Sequence, residues 1–177
     1  MRVKKDLLVG EWAVLALLCE RPAHGYAIAA LMAPAGNVGE IWSLNEQLTY
    51  RALRSLQSLG LVEVSAITAG DAAPRRTELV ATTQAKRLVT RWLRTPERRI
   101  RDMRPNLLLK IHLLRRRNRS TLPLLHAQLV LLVDTLARLE AVESSDVQPA
   151  ALINAWRRAT ATAALSFVED TIAESDA

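Results

Sequence analysis

Polar and basic side chains recur with helical spacing in the stretch SLNEQLTYRALRSLQSLG, residues 43–60. At 100° per residue, the side that carries two arginines is separated from an apolar side that is predicted to face a core. Guanidinium, amide and phenol groups bind phosphates and base edges in a DNA major groove. The stretch therefore predicts a DNA-reading helix. Its base contacts are predicted from Asn45, Gln47 and Arg51, its phosphate contacts from Thr49, Tyr50 and Arg54, and its core side from Leu48, Ala52, Leu56 and Leu59.

Local signals define the ends of this helix. Ser43 or Asn45 can cap its start, and Gly60 follows the last apolar residue, as expected of a C-terminal cap. An ordinary amphipathic surface helix has the same spacing. The segment alone therefore leaves both interpretations open, and its neighbours have to decide between them.

The residues after Gly60 predict a β-hairpin. LVEVSAI alternates in polarity, TAGDAAP is a turn, and RRTELVAT predicts the return strand. A helix followed at once by a hairpin is the outline of a winged helix. Arg75 and Arg76 begin the return strand and are predicted to lie over a flanking phosphate backbone or its minor groove. The alternative is a solvent-exposed hairpin with incidental arginines.

Three predicted helices in the first sixty residues, the last two joined by a short loop, indicate a helix-turn-helix arrangement. A fourth helix follows the hairpin and is stopped by Pro96. The sequence thus predicts a mainly α protein with a small β-hairpin wing. Residues 1–95 would form a winged helix-turn-helix DNA-binding domain, and residues 96–177 a C-terminal helical dimerisation region.

Two apolar helices are predicted in the second part. Six leucines step by three and four residues, and a last helix carries Trp156 and Phe167 at helical spacing. More apolar surface is predicted than one chain can bury, which indicates a homodimer. Packing of the two helices against each other within one chain is the alternative. The predicted dimer residues are Leu122, Leu125, Leu129, Leu132, Leu136, Leu139, Trp156 and Phe167.

Charge is distributed unevenly along the chain. Residues 1–119 hold 21 Lys and Arg against 10 Asp and Glu, whereas residues 120–177 hold 3 against 8. A basic first part followed by an acidic second part is typical of a protein that binds a polyanion with its first part and has another function in its second part. The basic run RRRNR at residues 115–119 is consistent both with a DNA contact and with a solvated helix face.

Other classes of protein lack support in the sequence. One cysteine excludes a disulfide framework within the chain, and the three histidines lack the spacing of a zinc site. There is no Gly-rich phosphate loop and no paired general acid and base. The sequence has no uninterrupted apolar run of about 18 residues, so no membrane span is predicted. We expect a cytoplasmic protein without enzymatic activity, metal or cofactor, and with no membrane partner.

The order of these features resembles the PadR family of bacterial transcriptional regulators. The resemblance rests on residues 7–28, 48–63 and 74–93, with His24-Gly25-Tyr26 opening the second helix and Tyr50 in the recognition helix. Two departures are that the family often has Gly-Thr-Leu-Tyr where this chain has Gln-Leu-Thr-Tyr, and that Thr77 and Glu78 replace its wing tyrosines. The resemblance implies a small hydrophobic effector between the wing domain and the dimer helices. Trp12, Trp92 and Trp156 are the candidates to line its pocket.

Three functions compete at this stage. The first is a homodimeric repressor that binds double-stranded DNA in a sequence-specific manner. The second is a winged-helix adaptor that uses its apolar C-terminal helices to hold another protein. An RNA-associated basic protein ranks last, because exposed aromatic rings for base stacking are few.

Overall fold

A computed structural model describes residues 7–70, 73–141 and 149–176; the side chains of residues 66–70, 73–76 and 176 lie outside the description. The chain divides into two compact units, Met1–Leu93 and Arg94–Ala177. The predicted fold class is confirmed, because the elements are helices joined by one small antiparallel sheet. The roles predicted for residues 1–95 and 96–177 stay predictions.

The first unit has a three-stranded sheet next to its helices. Strand β1 is only two residues long and pairs with β3, which also pairs with β2, so the order is β1-β3-β2. Two residues are too few to show alternation, so the sequence predicted the hairpin without its third strand. The elements are α1 (Val9–Glu20), β1 (Ala23–His24), α2 (Gly25–Met32), α3 (Glu46–Ser58), β2 (Val62–Gly70), β3 (Ala73–Ala81) and α4 (Thr83–Arg94).

Helix α3 is delimited by caps at both ends. Asn45 Oδ1 accepts a hydrogen bond from Leu48 N at 2.8 Å, which satisfies one of the free amides of the first turn. At the other end Gly60 has a φ of +66°, and Leu61 N donates to Leu56 O at 2.9 Å. This is the Schellman arrangement, in which glycine tolerates the left-handed conformation. The predicted C-terminal cap at Gly60 is confirmed.

The second unit consists of helices only, as far as its described residues go. A π-helical segment, Met103–Leu107, contains Pro105, which has no amide hydrogen to donate to the helix ladder. The elements are α5 (Ile100–Asp102), the π segment, α6 (Leu108–Arg116), α7 (Leu122–Ala141) and α8 (Ala150–Asp176).

The basic run at residues 115–119 forms the end of α6. Asn118 has a φ of 51°, Asn118 N donates to Arg115 O, and Arg119 N donates to Leu114 O, each at 3.0 Å. This is a second Schellman cap, with asparagine in the place of glycine. Basic side chains at this end also complement the helix dipole. The run therefore has a structural role, and a DNA contact by it stays a prediction.

Helices α7 and α8 pack against each other within the unit. Of the six leucines in the predicted seam of α7, Leu125 and Leu132 are buried and the other four are half-buried. The large apolar side chains of α7 that are left exposed are Val130 and Val133. The seam thus faces its own chain in large part, as the intramolecular alternative required, and a dimer contact through it stays a prediction.

Helix α8 has two different apolar faces. One contains the buried Ala161 and Val168 together with the half-buried Leu165. The opposite face carries the exposed residues Leu152, Trp156, Ala159, Ala163 and Phe167, which we call the α8 stripe. By helical geometry the stripe is about 22 Å long. Among the described residues of its unit, none covers Trp156, which is 72% exposed.

A buried polar network holds the first residues of the second unit. The side chain of Lys110 is 1% exposed; its Nζ donates to Glu97 Oε1 and, at 2.7 Å, to Thr95 O. Asn106 Nδ2 donates to Glu97 Oε2 at 3.3 Å. Desolvation lowers the pKa of Lys110 from its ordinary 10.5, and it outweighs the hydrogen bond and charge of Glu97, which raise that pKa. Glu97 therefore favours the charged form of the lysine, against the effect of burial.

Helix α7 is, among the described residues, the one helix long and apolar enough to cross a membrane by length and composition. Its polar residues are more typical of a packed helix. Gln128 is buried, accepts from Glu97 N at 2.7 Å and donates to Glu97 O at 2.9 Å. Asp134 pairs with Arg138 at 2.8 Å. Ionised side chains are expensive in hydrocarbon, so we interpret α7 as part of a helical unit.

Candidate nucleic-acid interface

Helix α3 presents a polar stripe, which we define as Gln47, Arg51 and Arg54. All three side chains are exposed, as the helical wheel predicted. The opposite face packs against α1 and α2 and is filled by Ala52, Leu53 and Leu56. The stripe combines an amide with two guanidinium groups, a set that can donate to phosphates and to base edges. That the stripe contacts DNA stays a prediction.

The prediction for Thr49 is wrong. Thr49 is 0% exposed, and its Oγ1 donates to Asn45 O at 3.0 Å. The threonine fits the core because its hydroxyl is satisfied by the turn below it, so burial leaves no unpaired polar group. A side chain in this position cannot reach a phosphate.

The position of Leu48 differs from its prediction in the opposite direction. The sequence placed Leu48 in the core on its hydrophobicity, yet it is 44% exposed. Residues 48 and 49 lie 100° apart on either side of the boundary between the two faces. The packing of α3 against α1 and α2 selects the threonine for the inside and leaves the leucine outside.

Asn45 has a structural task that limits its predicted role. Its Oδ1 is used as the N-terminal cap of α3, although the side chain as a whole is exposed. Replacing such a cap by alanine destabilises a helix by about 1 kcal/mol. An effect of Asn45→Ala on DNA binding would therefore mix a lost contact with a frayed first turn. Base reading by Asn45 stays a prediction, best tested with serine, which can still cap.

Tyr50 lies against the start of α2. A Cβ atom added to Gly25 would lie 2.7 Å from Tyr50 Cε1 and 3.3 Å from its hydroxyl oxygen, so the absent side chain makes room for the ring. Tyr50 is half-buried as a result. Next to it, His24 stacks on Tyr26 with ring centroids 5.6 Å apart, and His24 Nδ1 donates to Thr77 O at 3.1 Å. These contacts join α2, α3 and β3 at one place.

Gly25→Ala is expected to lower the free energy of unfolding by about 1–3 kcal/mol, the usual result of overpacking. The new methyl group would meet the ring of Tyr50. Urea unfolding of the single variant and of the same change in a Tyr50→Ala background measures the coupling. With the ring removed, alanine at position 25 should be tolerated. An equal loss in both backgrounds would show that the ring is not what requires glycine.

The described base of the wing is held by side chains as well as by strand pairing. Ser65 Oγ donates to Glu78 Oε2 at 2.7 Å, where β2 shifts register between Val64 and Ala66. Such a bulge bends a strand and increases its twist. The side chains of Arg75 and Arg76 lie outside the described residues, so their predicted backbone contacts stay predictions.

The three tryptophans proposed for an effector pocket belong to different units. Trp12 and Trp92 stack within the first unit, with ring centroids 4.9 Å apart and planes 2° from parallel. Trp156 belongs to the second unit and is exposed on α8. A pocket lined by all three stays a prediction. Within the described ranges, no group of three or more His, Cys, Asp or Glu side chains is placed to hold a metal ion.

The chain matches no family model and no curated protein at a significant level, but it is similar to solved structures. The crystal structure of Bacillus subtilis PadR in complex with operator DNA has 19% sequence identity and a TM-score of 0.48, covering 94% of this chain and 99% of that chain. A second Bacillus subtilis PadR structure has 19% identity and a TM-score of 0.44, covering 99% of each chain.

A third similar structure is that of smu.1604c from Streptococcus mutans UA159. It has 14% identity and a TM-score of 0.45, and the match covers 93% of this chain and 98% of that chain. Two of the three are thus structures of PadR, the family to which the sequence resemblance points. All three identities are below 25% and all three TM-scores below 0.5.

Proposed function

We propose that this chain is a sequence-specific DNA-binding transcriptional regulator that acts as a homodimeric repressor. The observation that carries the proposal is the polar stripe of α3. Gln47, Arg51 and Arg54 are exposed on a helix that is capped at both ends and followed directly by a β-hairpin. In helix-turn-helix proteins the second helix lies in the major groove with its first residues on the bases. The repressor role is taken from the PadR resemblance.

The charge of the first part supports the same function. The net charge of residues 1–119 is +11, and Arg51 and Arg54 are exposed without a carboxylate within salt-bridge distance among the described residues. Cationic side chains displace counterions from DNA, which provides affinity that does not depend on sequence. The amide of Gln47 and the guanidinium of Arg51 can add specificity by bidentate pairing with bases.

The α8 stripe supports a homodimer. Leu152, Trp156 and Phe167 are exposed on one side, with Ala159 and Ala163 between them, and none of these five side chains is charged. Small residues let two helix backbones approach closely, and a large exposed apolar surface is typical of an interface. A second copy of α8 fits best, because a twofold contact pairs a surface with itself. Two copies would also present two α3 helices to a palindromic site.

Arg51→Ala tests the proposal. A palindromic operator is first selected from random duplexes with the purified protein. The variant should then bind this operator about 1–3 kcal/mol more weakly and bind random DNA with little change, since one base contact is lost. Fluorescence anisotropy titrations on both duplexes measure the difference at one fixed salt concentration.

Gln57→Ala is the matched control, because Gln57 is exposed on the same helix but lies near its C-terminal end. It should bind both duplexes like the parent. If Arg51→Ala bound the operator as tightly as the parent, α3 would not be the reading helix. If the parent selected no duplex at all, the adaptor function would replace the proposal, with the α8 stripe as its binding surface.

A further inference from the structure

Leu48 places an apolar side chain in the otherwise polar first turn of α3. All 13 residues of this helix are described, and Leu48 is its one exposed large apolar side chain; Leu53 and Leu56 are buried. Its neighbours Gln47, one residue before, and Arg51, one turn later, both belong to the polar stripe. A polar residue would be expected at an exposed position beside this stripe, and Leu48 is 44% exposed.

The position of Leu48 in the helix indicates which groups of a bound DNA its side chain can contact. Leu48 N donates to the capping Asn45 Oδ1, so Leu48 is the third residue of the helix. In a helix that enters the major groove with its N-terminal end, the first turn lies closest to the base edges. The isobutyl group is therefore presented to the same base pairs as the amide of Gln47 and the guanidinium of Arg51.

We infer that Leu48 contacts the C5-methyl group of a thymine and selects thymine at one position of each half-site. This inference rests on the proposed function of α3. The thymine methyl is the apolar group that base edges offer in the major groove, and apolar side chains contact it. Leucine has no donor or acceptor. Against the amino group of cytosine it would cover a polar atom without pairing it, which is unfavourable.

Replacing single thymines by uracil tests this inference, because uracil lacks only the methyl group. At one position per half-site, the substitution should weaken binding of the parent by about fourfold, as expected for exposing one methyl-sized group. Leu48→Ala should bind the thymine operator about fourfold more weakly and be indifferent to uracil. Leu48→Met should keep the sensitivity, since its side chain is apolar and of similar size.

Two further variants complete the design. Gln57→Ala should show the sensitivity of the parent, because its side chain lies near the other end of α3. Leu48→Gln puts a polar amide in place of the apolar isobutyl group, so it should also be indifferent to uracil. Circular dichroism checks that each variant keeps its helices; alanine favours them, and Leu48 is not part of the core.

The outcomes separate this inference from the proposed function. If uracil weakened the parent at no position, or if Leu48→Ala and Leu48→Gln kept full sensitivity, Leu48 would not read thymine, while Arg51 and Gln47 could still read other bases. If the parent selected no sequence from the random pool, the proposed function would fail and this inference with it. The thymine contact is supported if Leu48→Ala and Leu48→Gln lose the sensitivity to uracil and Leu48→Met keeps it.

Discussion

Glu97→Gln is expected to lower the free energy of unfolding by about 3–5 kcal/mol, the usual result of removing one partner of a buried ion pair. The ammonium group of Lys110 would keep its hydrogen bond to Thr95 O but lose its carboxylate. Because desolvation already lowers the pKa of Lys110, the charge would be buried at a greater cost in the variant. Urea unfolding of the whole chain, followed by circular dichroism, measures the loss.

Two controls show whether the loss comes from the buried charge. Combining Glu97→Gln with Lys110→Met removes both charges and should recover most of the stability, because methionine fills a similar volume without needing a partner. The loss in the single variant should also shrink as the pH rises towards 10.5, the ordinary pKa of lysine, since a neutral amine has no charge to bury. A loss that was equal in the double variant and constant with pH would mean that it comes from the other contact of the carboxylate, the hydrogen bond that Glu97 Oε2 accepts from Asn106 Nδ2.

Trp156→Glu is expected to convert the protein to monomers and to weaken operator binding by about 10²–10⁴-fold. The change places a charge in the centre of the proposed dimer contact, and a monomer loses the gain from engaging two half-sites at once. The monomer itself should stay folded, because Trp156 is exposed and the opposite face of α8 does the packing. Light scattering at micromolar concentration and anisotropy titrations provide the two measurements.

Thr162→Glu is the matched control for this experiment. Thr162 is exposed on the same helix but lies about 120° around its axis from Trp156. It should leave both the dimer and the affinity unchanged. Glutamate at Leu129 or Leu136 would be a poorer test, because these half-buried leucines belong to the helix that packs on α8. An unmutated protein that scattered as a monomer would refute the dimer, and a dimeric Trp156→Glu would place its contact elsewhere.

The sequence predicted those parts of the fold that depend on local signals. Asn45 and Gly60 delimit α3 because a capping side chain and a residue tolerant of positive φ act on their own turn. The hairpin after Gly60 was predicted from alternation and turn residues. The exposure of Gln47, Arg51 and Arg54 was also predicted correctly, since these residues lie opposite the centre of the apolar face.

The sequence could not decide between neighbours at the edge of a face. Hydrophobicity alone favoured Leu48 for the core and Thr49 for the surface, and the structure has them the other way round. The reason is that the rotation of α3 is set by the helices it packs against, and a buried threonine costs little once the carbonyl of Asn45 accepts its proton. The exposure of Leu48, from which the thymine contact was inferred, is a result of that rotation.

The largest differences concern contacts between residues that are distant in the chain. Strand β1 is a strand because residues 54 and 56 positions later, in β3, pair with it, and the lysine in α6 is buried because Glu97 supplies its partner from another segment. Likewise, their spacing places the apolar residues of α8 on two faces, but packing against α7 determines which face is covered. Helical spacing fixes which residues share a face, whereas the free energy of burial is gained only where another element meets that face. The sequence thus determined the hairpin, the ends of α3 and which residues share a helix face, and the tertiary structure determined the third strand and which faces are left exposed.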